Sequence, residues 1–157
     1  MINGGNGKFS IYEGGEVVFI KDIQFKNRFA DHASLTGRPC IILSEFDDKI
    51  TMLPLTSRKP KNDSLYIERI APKDFVYTTN GFKVKDEEYV NLLSLFQRDL
   101  RYYDVVSRIT LRRYLKLLLE MEKKRLFALE QTEEAYNSAR EYFLAKKEEI
   151  ELTLNRK

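Results

Sequence analysis

The sequence carries GRPCIILS at residues 37–44 and ITMLPLTS at residues 50–57. Both stretches are short, apolar and partly β-branched, which is typical of neighbouring strands in a sheet. If they form an antiparallel hairpin, Arg38 lies at the same end of it as Thr56 and Ser57. A guanidinium beside two hydroxyls is an arrangement suited to phosphate, although a buried hairpin also carries polar residues at its ends without any function.

Turn-forming residues divide the chain into two parts. All 7 glycines and all 4 prolines precede residue 82, so we expect strands and turns first and helix afterwards. The predicted strands span residues 16–20, 39–44, 49–55 and 64–70, and another strand is expected within residues 88–96. The Asn80-Gly81 pair is a strong turn signal and predicts a further hairpin between residues 74–79 and 82–85. Residues 99–106 are expected to hold a short strand or a turn.

Composition limits the classes of protein that this chain can belong to. It has 157 residues, of which 43% are hydrophobic and 32% charged, with a net charge of +3, so nucleic-acid binding requires local clustering of cations. The single Cys40 excludes an intramolecular disulfide and is expected to be a small core residue. The absence of a long apolar run and of a signal peptide predicts a cytoplasmic protein with no membrane partner. One histidine and one cysteine cannot build a structural zinc site, so we expect no metal and no cofactor.

Three blocks, in order along the chain, resemble the MazF/PemK-like toxin family, the endoribonucleases of type II toxin–antitoxin pairs. They are GEVVFI at residues 15–20, GRPCIILS at residues 37–44 and LPLTS at residues 53–57. A weaker fourth block is YVNL at residues 89–92, before a C-terminal helix. The resemblance covers about residues 14–120. It implies an α+β, mainly β fold, namely an SH3-like small barrel (MazF/PemK/CcdB-like).

The resemblance also implies a division of the chain and a set of partners. We expect a flexible N-terminus at residues 1–8, the barrel at residues 9–120 and a long C-terminal helical extension at residues 121–157. Many members cut single-stranded RNA, including mRNA, without a metal, are commonly homodimers and are held inactive by an antitoxin. Family members generally end near the helix at residues 111–119, so the resemblance says nothing about the tail.

Arg38 and Thr56 match the catalytic arginine and threonine of the family. Metal-free RNA cleavage uses the RNA's own 2′-hydroxyl as nucleophile, so DNA is not an expected substrate. The enzyme must help to deprotonate that hydroxyl, stabilise negative charge on the phosphorus and protonate the leaving 5′-oxygen. Arg38 suits charge stabilisation, and in this family it is also a candidate proton donor. Thr56 can donate a hydrogen bond to phosphate, and Ser57 is either a second donor or a turn-capping hydroxyl.

The acidic residue of the family is missing from its usual position. Members often carry Ser-Glu-Gln shortly before the Arg-Pro pair, whereas this chain has His32-Ala33-Ser34 there. His32, the only histidine, is a candidate for proton transfer because imidazole titrates near neutral pH. Asp31 is a candidate to orient His32 or to act alone. The alternative is that His32 is an exposed loop residue with no role.

Polar loops on either side of the hairpin carry cations with interleaved aromatic residues. Cations can follow a phosphate backbone, and aromatic rings can stack on unpaired bases. The candidate RNA-binding residues are Lys21, Phe25, Lys26, Arg28, Phe29, Arg58, Lys59 and Lys61. In a chain this rich in charge, the same cations also serve simply to solvate the surface.

A rival interpretation comes from a different class of protein. The same fold family includes toxins similar to CcdB, which bind a protein target and catalyse nothing. A barrel that lacks the Ser-Glu-Gln acid fits such a binding module, with the C-terminal helix as its contact surface.

The C-terminal part is expected to be helical. Thr110 is the predicted N-cap of a helix whose apolar face holds Leu111, Leu115, Leu118 and Leu119. A second stripe then recurs every seven residues at Leu129, Tyr136, Phe143 and Ile150. One continuous helix would span about 70 Å, so a bend near residues 131–132 is the alternative. We expect the stripe to pack against a second subunit, an antitoxin or its own folded-back chain.

Overall fold

The computed structural model describes residues 12–20, 38–46, 48–57, 66–78, 84, 87–124, 126 and 134–155. The fold is mixed α+β and consists mainly of strands, as the sequence predicts. Its strands are β1 (Glu16–Ile20), β2 (Arg38–Phe46), β3 (Lys49–Pro54), β4 (Ile67–Ile70), β5 (Phe75–Thr78), β6 (Glu88–Asn91), β7 (Phe96–Asp99) and β8 (Asp104–Ile109). Two helices follow, α1 (Leu111–Lys123) and α2 (Glu134–Asn155).

The hairpin predicted from residues 37–57 is the centre of the sheet. Strands β2 and β3 pair antiparallel, with Cys40 opposite Pro54. Asp48 has a φ of 63°, a left-handed conformation that aspartate tolerates better than most residues and that suits the turn. The pairing continues past the strand end, where the Leu55 amide donates to the Pro39 carbonyl at 2.8 Å. The hairpin is therefore confirmed, and Arg38 lies at its open end.

The described strands form two sheets. The larger has the order β5-β8-β1-β2-β3-β7, and the smaller consists of β4 and β6. The strand expected within residues 88–96 is β6, and a 3₁₀ turn at Leu92–Ser94 separates it from β7, which begins at Phe96. The Asn91 side chain caps this turn by accepting from the Leu93 amide at 2.9 Å, and the chain passes from the small sheet to the large one.

Strand β5 pairs antiparallel with β8 at the edge of the large sheet. The partner predicted for it, residues 82–85, lies mainly outside the described residues, and so do residues 64 and 65 of the strand predicted before it.

Alternate residues of the central strands face two different apolar clusters. Val17, Ile41 and Leu53 belong to a large cluster that includes helical side chains. Their neighbours Val18 and Met52 belong to a second cluster with Tyr12. Side chains alternate between the two faces of a strand, so both faces of this sheet are buried where these residues lie, and the middle parts of the central strands are mainly apolar.

Helix α1 begins as predicted. The Thr110 hydroxyl accepts from the Arg113 amide at 3.2 Å, which satisfies one of the free donors at the helix start. Leu115 and Leu118 are buried and Leu119 is partly buried. Leu111, however, is exposed, so it is not buried with the other residues of the predicted apolar face. It lies in the first turn, where it borders a groove between the two helices.

The C-terminal segment folds back onto the rest of the chain. Helix α1 ends at Lys123 and α2 begins at Glu134, so one continuous helix is excluded. Phe143 and Ile150 are buried in the same cluster as residues of β1, β2 and β3. The predicted bend, Leu129 and the side chain of Tyr136 lie outside the described residues. Neither described helix is long and apolar enough to cross a membrane.

The packing of α2 predicts different costs for two adjacent truncations. Phe143→Ala should lower the free energy of unfolding by about 3–5 kcal/mol, because it empties a site in the core. Leu144→Ala is the matched control: Leu144 is 52% exposed whereas Phe143 is 0% exposed, so its loss should be less than about 1 kcal/mol. Urea unfolding followed by circular dichroism measures both. Equal losses would contradict the placement of Phe143 in the core.

Candidate active site

The open end of the β2–β3 hairpin brings together the described site residues that the sequence predicts. Arg38 is the first residue of β2. Thr56 lies just beyond the end of the neighbouring strand, β3. The Arg38 Nη1 donates to the Leu55 carbonyl at 3.5 Å, which draws the guanidinium across the hairpin towards Thr56. Thr56 is buried, whereas Ser57 is exposed. The first prediction, that Arg38 lies at the end of the hairpin shared by Thr56 and Ser57, is confirmed.

A pair of backbone hydrogen bonds attaches the small sheet to this end of the hairpin. The Thr56 amide donates to the Tyr89 carbonyl at 3.0 Å, and the Tyr89 amide donates to the Thr56 carbonyl at 2.7 Å. Tyr89 lies in β6, opposite Arg69 of β4. The residue before Tyr89 is Glu88, and the bridge therefore brings an acidic side chain to the site.

Glu88 is the acidic residue of the site. Glu88 is buried, with only 6% of its surface exposed. Burial raises the pKa of the Glu88 carboxyl group to about 7, and the nearby positive charge of Arg38 lowers that pKa by a smaller amount. A carboxyl group that titrates near neutral pH can accept a proton and release it again under physiological conditions.

Sequence reasoning missed Glu88. The block that resembles the family was read from Tyr89 onwards, one residue too late, and the missing proton-transfer group was sought only at residues 31–34. A signal was present: Glu88, Val90 and Leu92 alternate along the chain, and all three are buried. A glutamate that continues the inward-facing positions of a strand is a candidate functional carboxylate, because an acid is rarely buried without a role or a partner.

Several predicted residues lie outside the described part of the chain. Among them are His32 and its neighbour Asp31. The same holds for all of the candidate RNA-binding residues, which are Lys21, Phe25, Lys26, Arg28, Phe29, Arg58, Lys59 and Lys61. Their roles stay predictions.

Cys40 has the structural role expected of it. It is free and buried, and its Sγ donates to the Arg38 carbonyl at 3.6 Å. Burial raises the pKa of its thiol far above the usual range, although Arg38 and Arg98 oppose the shift. The thiol therefore stays protonated, which removes it as a nucleophile.

The burial of Glu88 predicts a pH-dependent stability. The carboxyl group has a higher pKa in the folded state than its usual value of 4.5, so the folded state retains a proton that the unfolded state releases between pH 4.5 and 7. Stability contributed by Glu88 must therefore fall as the pH rises through this window. Glu88→Gln should match the wild type at pH 4 and exceed its unfolding free energy by about 2–3 kcal/mol at pH 8.

Urea unfolding at pH 4, 6 and 8 measures this difference. Glu141→Gln, which neutralises an exposed carboxylate on α2, is the control and should follow the wild type. A constant difference between Glu88→Gln and the wild type at all three pH values would contradict the buried, titrating carboxyl group.

No protein-family model and no curated protein sequence matches this chain. Among the residues that the structure describes, no group of three or more histidine, cysteine, aspartate or glutamate side chains is arranged to hold a metal ion. The function must therefore be argued from the chemistry of Arg38, Thr56 and Glu88.

Proposed function

We propose that this protein is an endoribonuclease of the MazF/PemK-like kind, with an SH3-like barrel fold, that cleaves single-stranded RNA without a metal. The observation that carries the proposal is the meeting of Arg38, Thr56 and Glu88 at one end of the central hairpin. A cation, a hydroxyl donor and a carboxyl group that titrates near pH 7 are the groups that phosphodiester transesterification needs.

In the proposed reaction, the carboxylate of Glu88 accepts the proton of the RNA 2′-hydroxyl as the 2′-oxygen attacks the adjacent phosphorus. A new bond forms from the 2′-oxygen to phosphorus, and the bond from phosphorus to the 5′-oxygen breaks. Arg38 and Thr56 donate hydrogen bonds to the nonbridging oxygens, where negative charge increases. The leaving 5′-oxygen takes a proton from Arg38, which regains one from the protonated Glu88 carboxyl group, and His32 is the alternative donor. The products are a 2′,3′-cyclic phosphate and a 5′-hydroxyl.

The environment of Glu88 suits the role of general base. A base with a pKa near the working pH is partly ionised and still basic enough to remove a proton. An ordinary glutamate, with a pKa of about 4.3, is ionised at pH 7 but is a much weaker base. Glu88 of β6 thus replaces the acid that is missing from residues 32–34.

The biological setting is part of the same proposal. We propose that the protein acts in the cytoplasm as the toxin of a toxin–antitoxin pair, that it forms a homodimer, and that cations of its polar loops guide mRNA to the site. A non-catalytic, CcdB-like module that binds a protein target is the alternative that a negative cleavage result would favour.

Cleavage should depend on Arg38. The wild type is expected to cut a long unstructured RNA in EDTA and to leave 5′-hydroxyl ends. Arg38→Ala should lower the rate by about two to three orders of magnitude, because it removes the main stabiliser of transition-state charge. Arg101→Ala removes an exposed arginine and should leave the rate unchanged. Equal cleavage by the wild type and Arg38→Ala would overturn the assignment, and no cleavage by the wild type would favour the binding module.

The pH dependence of the rate should identify the base. If Glu88 removes the proton, the logarithm of kcat/KM rises with pH and levels off near pH 7, where Glu88 becomes ionised. Glu88→Gln should lower the rate by about 10²–10⁴-fold and abolish this rise. His32→Gln should keep the rise near pH 7 intact. The opposite pattern, with the rise lost in His32→Gln and retained in Glu88→Gln, would make His32 the base.

A further inference from the structure

We propose that Arg113 of α1 is a positioning residue that holds strand β4, and through β4 the strand β6 that carries Glu88. The catalytic meaning of this inference rests on the proposed function, but the placement of Glu88 can be tested without it.

Arg113 clamps β4 to the helix with two hydrogen bonds. Its Nη2 donates to the Glu68 Oε1 at 3.0 Å and to the Arg69 backbone carbonyl at 2.8 Å. The two side chains of the ion pair are only 13% and 17% exposed for Arg113 and Glu68 respectively. A partly buried, hydrogen-bonded ion pair is weakly screened by water, so it fixes geometry more firmly than a surface pair.

Other charges hold the clamp in place. The Arg113 Nε lies 3.9 Å from the Asp74 Oδ2, and Asp74 itself accepts from the Ala71 amide at the end of β4. Lys124 lies 3.9 Å from the second Glu68 oxygen and pairs with Glu120 at 2.6 Å. The Glu68 carboxylate is therefore flanked by two cations from α1 and its C-terminal end.

The clamp leads to the site through backbone pairing. Arg69, whose carbonyl Arg113 binds, stands opposite Tyr89 in the β4–β6 sheet. The backbone amide and carbonyl of Tyr89 both hydrogen-bond to the backbone of Thr56, and Glu88 is the residue before Tyr89 in β6. Glu87 adds side-chain links, since it pairs with Arg69 at 3.2 Å and accepts from the Tyr89 hydroxyl. Arg113 is thus linked to Thr56 and Glu88 through the pairing of β4 with β6.

A two-stranded sheet needs outside support, because an isolated pair of strands is only marginally stable. The small sheet is joined to the hairpin through Thr56 and to α1 through Arg113. If the Arg113 attachment is lost, β4 is held less firmly against α1, β6 shifts with it, and Glu88 becomes more accessible to water.

The charges around Glu88 separate a positioning effect from a direct electrostatic one. Glu88 stands opposite Ile70 of β4, and the titratable or charged residues near it along the chain and on β4 are Glu87, Tyr89, Glu68 and Arg69. Arg38 approaches from β2. Of the described charges, Arg38 is the one that shifts the pKa of Glu88, and Arg113 is not. A change at Arg113 can therefore alter the titration of Glu88 only by altering its position or its exposure to water.

The test compares unfolding by urea at pH 5 and pH 8 in the full chain, with and without Glu88→Gln. Ionisation of Glu88 should make the wild type less stable at pH 8 than at pH 5, and Glu88→Gln should remove this Glu88-dependent fall in stability. In an Arg113→Met background, this Glu88-dependent fall should shrink by at least half. Arg113→Lys should give an intermediate loss, because one ammonium group cannot hold both acceptors as a guanidinium does. The control is Arg108→Met on β8, which breaks a 2.6 Å ion pair between Arg108 and Glu13. This variant should keep the full Glu88-dependent fall in stability.

A kinetic measurement complements the stability test. With RNA as the substrate, the rise of kcat/KM should level off about one pH unit lower in Arg113→Met, as Glu88 returns towards its usual pKa. A purely structural role for Arg113 would lower stability equally at both pH values and leave this pH profile unchanged.

The outcomes are separable. A full Glu88-dependent fall in Arg113→Met would overturn the proposal, and if that variant does not fold, the same result in Arg113→Lys would overturn it. A wild type without any Glu88-dependent fall would also overturn it. If the protein cuts no RNA but the fall shrinks as expected, Arg113 positions Glu88 and the proposed nuclease function is the part that fails.

Discussion

The pair of backbone hydrogen bonds between Thr56 and Tyr89 is the interaction on which the candidate site depends. Each residue donates to the other, so the end of the central hairpin and the start of the small sheet are fixed at one point. Arg38 belongs to β2 of the large sheet, Thr56 follows β3 of the same sheet, and Glu88 belongs to β6 of the small sheet. Without this bridge, Glu88 would not be held in a fixed position relative to Arg38 and Thr56, because backbone pairing fixes side-chain direction on both paired segments.

Burial supplies the chemistry of the site. Water normally stabilises a carboxylate, and its exclusion around Glu88 raises the pKa of this residue even though Arg38 is close enough to oppose the shift. The same exclusion of water strengthens the attraction of a guanidinium for a phosphate group. The fold thus holds a carboxyl group that is unfavourable to ionise near a guanidinium cation, and carboxyl groups with such a raised pKa cluster at functional sites.

The sequence predicted those parts of the fold that local patterns determine. The hairpin of residues 38–54 follows from two apolar runs around a turn, and the start of α1 follows from a single capping threonine. The pattern did not reveal that residues 88–96 split between two sheets, because that break depends on which distant strands are available as partners. For the same reason Arg38 and Thr56 were found as neighbours across a hairpin, whereas Glu88 joins them through a long-range bridge that no spacing encodes. Leu111 shows a similar limit, since helical periodicity gives a face but not how far the packing surface extends.

The burial of Phe143 and Ile150 against the first strands has a consequence for the synthesis of the protein. Val17 and Ile150 belong to one apolar cluster, although almost the whole chain separates them. Contacts between such distant residues are slow to form, and they cannot form until both partners exist. During translation, α2 leaves the ribosome after all the described strands, so the core stays open until α2 has been made. The hairpin end, with whatever activity it carries, therefore becomes fully supported only after α2 has emerged.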